Sequence, residues 1–326
     1  MWIKNQIISK RLLKIISEGS VAVIMKILLI VLIILILICY LDAEYGFKQI
    51  VTRKICSEEQ LFSEGQAKGI IDKDKYEKLD KEEIIITSGD GLKLRGIYIK
   101  GDSKLRRSII FVHGITVGIP WSLRYIDMFV KRGWNILVYD QRRHGRSEGK
   151  YSTYGFYEKE DLDLWVNWLI EKNGKEGIIG IHGESMGAAT ALQYLTINKY
   201  ASFVISDCSF SDLNELLKYH MKNDYHLPSF PLINFTALKA KHKAKFKFSD
   251  VSPIEAVKMS SLPVMFIHGK EDKFVPAYMS EDMYNAKKGI KKLYMVKGAE
   301  HARSVEVDKE GYEREVMDFI DNLHLK

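Results

Sequence analysis

Beyond residue 80 the chain alternates between two patterns, and that alternation constrains its fold more than any other feature. Short apolar, β-branched runs fall at 83–87, 92–99, 108–113, 134–139, 178–182, 203–206, 264–268 and 293–296. Stretches with helical spacing lie between the later runs at 121–132, 158–172, 185–198 and 277–287, and a last one covers 308–323. A strand buried on both faces reads as a near-continuous apolar run, and parallel neighbours need a crossover, usually a helix. The pattern therefore predicts an α/β domain over residues 81–326, with a mostly parallel eight-stranded sheet and helices on both faces. Ser88-Gly89-Asp90-Gly91 joins the first two runs as a tight turn, so the sheet is expected to begin with a hairpin.

The rhythm breaks once. From about 208 to 252 there is a helical piece at 211–224 and the breaker-rich Leu227-Pro228-Ser229-Phe230-Pro231, but no clear strand. Lysines then recur at Lys239, Lys241, Lys243, Lys245 and Lys247. An insertion of this length in a compact domain is usually functional, and it predicts a helical cap over the site.

Gly183-Glu184-Ser185-Met186-Gly187 lies where the run at 178–182 gives way to the helix beginning at 185. A strand turning abruptly into a helix lifts the serine oxygen above the sheet, and glycines on either side avoid clashes in that turn. The helix N-terminus then faces the reacting group and favours developing negative charge. Ser185 is the expected nucleophile.

With four further segments, the sequence resembles an α/β-hydrolase of the serine-aminopeptidase and monoacylglycerol-lipase-like group across roughly 82–323. These segments are Phe111-Val112-His113-Gly114, the run from Tyr139 through Asp140-Gln141-Arg142-Arg143-His144-Gly145-Arg146 to Ser147, the run from His268 to Pro276, and Gly298-Ala299-Glu300-His301. The resemblance implies the order serine, acid, histidine. Asp272 follows the seventh run and His301 the eighth, as that order requires; Asp207, directly after the sixth, is the alternative acid. A histidine in reach of the serine can take its proton, and a buried carboxylate fixes the tautomer. The oxyanion needs two amide donors. Met186 supplies one by motif; Ile115 is expected to supply the other, with Thr116 as its alternative. His113, His182 and His268 each precede a glycine at a strand end and read as structural, and His144 as the organiser of its own loop. Glu271 reads as exposed.

The N-terminal part is of a different kind. Residues 21–41 read VAVIMKILLIVLIILILICYL, with Lys26 as the one charge. As a helix this stretch spans ~31 Å, about the hydrocarbon thickness of a bilayer. It predicts a transmembrane anchor, with residues 1–20 as a cytoplasmic N-terminus and 42–80 as a stalk or collar. Lys4, Lys10, Arg11, Lys14 and Lys26 precede or open the span, so the catalytic domain is expected outside a cell membrane crossed once. No small-x-small cleavage site follows the stretch.

Basic residues outnumber acidic ones 49 to 42, a net charge of +7, but no basic run interleaves with aromatics as a nucleic-acid platform would. Cys39, Cys56 and Cys208 have no zinc or redox spacing, and no phosphate-binding loop or nicotinamide fingerprint appears. No cofactor, metal or nucleic-acid partner is expected. The expected chemistry is acyl-ester hydrolysis of a small or lipid-like substrate. An aminopeptidase-type activity and a non-catalytic surface scaffold are the alternatives. The lysines at 239–247 suggest a basic cap edge against anionic headgroups.

Overall fold

Period-two burial in the strands explains how two helical layers come to share one sheet. Ile109 and Phe111 of β3 (Arg107–Val112) point into one apolar layer, while Ile110 and Val112 point into the other. Ile136 and Val138 against Leu137 and Tyr139 repeat the division in β4 (Asn135–Tyr139). The computed structural model describes residues 2–102 and 105–325, with 2–20 and 22 as helical backbone alone.

The remaining strands are β1 (Lys81–Thr87), β2 (Lys93–Ile99), β5 (Ile178–Glu184), β6 (Phe203–Asp207), β7 (Val264–Gly269) and β8 (Lys291–Val296). They form an eight-stranded sheet in the order β1-β2-β4-β3-β5-β6-β7-β8. β2 runs antiparallel to both of its neighbours, and all other pairs are parallel. The expected opening hairpin is β1–β2, closed by a turn in which Gly91 donates to the Ser88 carbonyl at 3.0 Å.

One face carries α4 (Ile119–Val130), α11 (Ser304–Val307) and α12 (Lys309–Asp321), whose Phe129, Val305, Tyr312 and Val316 are buried. The other carries α5 (Glu158–Asn173), α6 (Met186–Tyr194), α9 (Pro253–Met259) and α10 (Tyr278–Ala286), which bury Trp165, Leu192, Val257 and Met283.

The apolar N-terminal stretch belongs to α1 (Trp2–Ile50), within which Val23–Ile50 is long and apolar enough to cross a membrane and none of its most apolar window is buried. The helix does not stop where the apolar run ends at 41. No proline interrupts it, and its last turns pack into the body, burying Ala43, Phe47 and the following Val51. Next, α2 (Glu58–Ala67), capped by Ser57 and Gln60, and α3 (Lys73–Glu77) lay Leu61, Phe62 and Tyr76 against the domain. Residues 42–80 therefore pack onto the domain and do not stand off from it. The side chains of Lys4, Lys10, Arg11 and Lys14, on which the charge asymmetry depends, lie outside the described residues.

Residues 208–252 form α7 (Leu213–Asn223), α8 (Leu232–Lys243) and a 3₁₀ turn at Phe248–Asp250. They enclose a third apolar cluster with Phe47, Val51, Met186, Phe210, Phe246 and Phe248. The alternating lysines split between two structures. Lys239, Lys241 and Lys243 lie on α8, whereas Lys245 and Lys247 alternate with buried Ala244, Phe246 and Phe248 in the irregular chain that leads into the 3₁₀ turn.

Candidate active site

Four loops meet because their strands belong to one run of adjacent parallel strands, β3-β5-β6-β7-β8, that end at the same edge of the sheet. Ser185 follows β5, Asp272 follows β7, His301 follows β8 and Ile115 follows β3. Open parallel sheets place ligands at this carboxyl edge.

At the β5–α6 junction Ser185 has φ 54° and ψ −117°, a strained conformation that surrounding contacts must hold. Its N–H donates to the Asp207 carbonyl at 2.8 Å, and its own carbonyl accepts from Ala189 at 3.0 Å, which starts the helix. Gly187 has no room for a side chain, since a Cβ there would come within 2.0 Å of the Val112 carbonyl oxygen.

The structure brings the three expected polar side chains together. His301 Nε2 lies 2.9 Å from Ser185 Oγ, and its Nδ1 lies 2.7 Å from Asp272 Oδ2. With Nδ1–H donating to the carboxylate, Nε2 is free to accept the serine proton. Asp272 Oδ1 accepts from the Phe274 and Val275 amides at 2.9 and 2.8 Å. Burial opposes the charge on Asp272, but hydrogen bonds from His268 and His301 outweigh it and hold the carboxyl at about 2. His268 thus has a place the sequence did not give it. Its Nε2 faces Asp272 Oδ2 at 3.1 Å and the Val275 carbonyl at 2.9 Å, while Nδ1 accepts from Ser280 at 2.7 Å.

Asp207, the alternative acid, makes no hydrogen bond to His301, whose ring nitrogens go to Asp272 and Ser185. Its Oδ2 accepts from Tyr312 at 3.0 Å and Tyr125 at 3.4 Å, in a buried layer beneath the elbow. That layer also holds Glu184, which accepts from Arg124 and Tyr125. Arg124 reaches on to the Ala302 carbonyl at 2.9 Å and Glu306 at 2.8 Å. One guanidinium therefore ties the residue before Ser185 to the residue after His301. Glu184 lay inside the elbow motif as an unspecified position. Arg124 stands 60 residues upstream on α4 with no local signal.

Met186 opens α6, so its N–H is one of the donors a helix leaves unpaired at its start. Ile115 lines the same cavity as Ser185 and Met186, whereas the Thr116 amide points to His144 Nε2 at 3.4 Å. The Ile115 loop is braced from the β4 side. Gln141 donates its amide to His113 Nε2 at 3.0 Å and its side chain to the His113 carbonyl at 2.6 Å. Burial lowers the pKa of His113 and of His144, which suits both to the neutral role of acceptors in these contacts. Glu271 is exposed, as expected, and accepts from the Gly298 amide at 2.7 Å.

Above Ser185 opens a cavity of about 290 Å³. Its walls are largely apolar, with Leu216, Met221 and Ile233 from the cap and Phe274 from the Asp272 loop. Asp42, Tyr45 and Ile50 of α1 also line it, so the N-terminal helix forms part of the site. Cys208, Asp272 and His301 bring possible metal-ligand atoms within 4.8 Å of one another. Both ring nitrogens of His301 are already engaged, however, and burial pushes the Cys208 thiol far up, away from the thiolate a metal needs.

Comparison with known proteins agrees with this architecture. Residues 103–216 match the family described as "Serine aminopeptidase, S33". The uncharacterized protein YqkD of Bacillus subtilis is 38% identical over 253 residues, covering 77% of this chain and 83% of that protein. The solved esterase Pf2001 of Pyrococcus furiosus superposes with a TM-score of 0.61 at 27% identity, covering 76% of this chain and 94% of that one. The putative esterase YitV of Bacillus subtilis is 26% identical over 190 residues, covering 54% of this chain and 72% of that protein.

Proposed function

Because the chain belongs to the α/β-hydrolase superfamily, we propose that it is a serine hydrolase that cleaves carboxylic acyl esters through an acyl-enzyme. The observation that carries this reading is the hydrogen-bonded series Ser185–His301–Asp272 at the floor of an apolar cavity. Ser185 Oγ attacks the ester carbonyl while His301 Nε2 takes its proton. Ionised Asp272 stabilises the imidazolium that forms. The oxyanion falls to the amides of Met186 and Ile115. His301 then returns its proton to the leaving alcohol, and water attacks the acyl-enzyme by the same route in reverse. A fluorophosphonate probe should label the full chain at Ser185, and Ser185→Ala should lose both label and ester turnover. A folded chain that takes no label at Ser185 would sink the reading.

The family described as serine aminopeptidases motivates a second reading, in which an acid in the cavity receives a substrate amine. Asp42 and Asp224 do line the cavity; Asp224 accepts from His220 at 2.6 Å, whereas Asp42 Oδ2 is buried with no hydrogen-bond partner among the described residues and is the acid this reading would use. Paired assays on p-nitrophenyl acyl esters and aminoacyl nitroanilides separate the two readings, and turnover of the amides alone would favour the peptidase. A third reading, a binding scaffold without turnover, fits poorly with three side chains held at hydrogen-bond distance.

We read α1 as a retained membrane anchor with the hydrolase domain outside a cell membrane. Two observations support retention: the helix runs without a break from the apolar stretch into residues that wall the cavity, and Phe47 is buried in the cap cluster.

A further inference from the structure

The mouth of the cavity lies next to the point where α1 would leave a bilayer. Among the residues lining the cavity, Tyr45, Tyr225 and Leu227 are about half exposed, while Ser185 at the floor is buried. Tyr45 is one turn past Leu41, the end of the apolar run, a rise of about 6 Å. The cap is tied to the same turns of α1. Lys239 of α8 ion-pairs with Glu44, and its ammonium stands 5.8 Å from the Tyr40 ring and 5.4 Å from the Phe47 ring. Thr236 approaches so closely that a Cβ on Gly46 would fall 2.4 Å from its hydroxyl, so glycine there lets α8 settle onto α1.

The outer surface beside that mouth is apolar where a water-facing cap would be polar. Phe230 is 75% exposed and Leu238 62%, with Phe235 between them also exposed. Phe235 and Leu238 are carried on α8, which packs against α1, and the residues of α1 from Ile27 to Leu37 are all about half exposed. Exposed Lys241, Lys243, Lys245 and Lys247 lie farther along the cap and, among the described residues, pair with no carboxylate. An apolar rim backed by lysines is the composition of a surface that rests at a lipid–water interface.

We infer that the α7–α8 cap rests on the same bilayer that α1 crosses, and that the site draws a long-chain acyl amphiphile directly from that bilayer through the mouth lined by Tyr45, Tyr225 and Leu227, where the Tyr45 and Tyr225 side chains are hydrogen-bonded to each other. This rests on the serine-esterase reading and names its substrate class. The anchor is then both tether and part of the entrance.

The test uses the full chain reconstituted in phosphatidylcholine–phosphatidylglycerol vesicles, with a long-chain monoacylglycerol in the bilayer and p-nitrophenyl acetate in the water. The double variant Phe230→Ser, Leu238→Ser, neither of which lines the cavity, should lose about tenfold in turnover of the bilayer ester. Its turnover of p-nitrophenyl acetate should stay within about twofold of the parent. In a separate variant, Phe230→Trp, bromine-labelled lipid chains should quench fluorescence beyond the level seen in the parent. Unchanged turnover of the bilayer ester together with no added quenching overturns the inference, as does wild-type chain that cleaves the soluble ester and leaves the bilayer ester intact. Wild-type chain that cleaves neither ester would instead sink the hydrolase reading.

Discussion

Ser185 separates two regions built on opposite principles. Beneath it, Glu184, Arg124, Tyr125, Asp207, Tyr312 and His182 are all buried and joined by hydrogen bonds that cross from β5 and β6 to α4 and α12. Above it, the cavity is walled by mostly apolar side chains from α7 and α8 and by Asp42, Tyr45, Gln49 and Ile50 of α1, elements that contribute no strand to the sheet. The lower region can be rigid because each polar group there has few alternatives to its native partner. The upper one can differ among proteins sharing the fold without disturbing the Ser185–His301 contact. On the proposed serine-hydrolase reading, reaction chemistry falls to the part of the molecule that is hardest to alter, and substrate choice to the part that is easiest.

The strongest way to break this contrast is to remove the cation below. Arg124→Met leaves the Glu184 carboxylate buried beside Asp207 without its counter-charge. Removing one partner of a buried pair typically costs about 3–5 kcal/mol, and thermal denaturation should register it as a large fall in Tm. Because the same guanidinium holds the Ala302 carbonyl, kcat should fall as well. Adding Glu184→Gln to Arg124→Met should restore much of the Tm, while kcat stays low because Ala302 is still unheld. A Tm unchanged in the single variant would mean that the polar layer is not what makes the lower region rigid.

Much of this was legible in the sequence, for a physical reason. The eight strands and the elbow are written in short-range signals: apolar periodicity, glycines at a tight turn, and side chains directly following strand ends. Asp272 and His301 could be found because each follows a parallel strand and such strands share one edge. Three features had no local signature. Arg124 meets Glu184 only through the fold, and nothing around position 124 marks it. His268 read as structural because it precedes a glycine at a strand end, and nothing local places its ring against Asp272. The second cap helix, α8, mixes Ile233, Phe235 and Thr236 with lysines and has no clear apolar stripe, so its helicity comes from packing on α1. For the same reason the end of α1 did not announce itself as cavity wall.

A smaller effect sharpens the comparison from the electrostatic side. Burial, followed by the negative charge of Glu184, pushes Asp207 up to about 7 from an ordinary 3.8, despite a hydrogen bond from Tyr312. Its Oδ1 finds no partner among the described residues, which also disfavours the charged form. The folded chain therefore keeps a proton that the unfolded chain gives up. Stability attributable to Asp207 is intact below about pH 4 and is lost as pH rises toward about 7, at no more than roughly 1.4 kcal/mol per pH unit. Asp207→Asn removes this slope, so its Tm relative to the parent should climb between pH 5 and 7. A difference that stays constant across that range would show that Asp207 is ionised in the folded state.

The smallest predicted effect belongs to the upper region, and it should leave the lower one untouched. Ile233 of α8 lines the cavity, and tryptophan in its place would take up space without adding or removing a charge. Discrimination in an apolar pocket is worth about 1–3 kcal/mol per methylene, so a shortened cavity should act on chain length and not on bond breaking. For Ile233→Trp, the ratio of kcat/KM on a decanoyl ester to that on an acetyl ester should fall by about tenfold. Tm and its pH dependence should follow the parent, because no atom of the Arg124–Glu184–Asp207 layer has changed. If the two esters slowed equally, cavity and reaction centre would be coupled, and the division of labour across Ser185 would have to be abandoned.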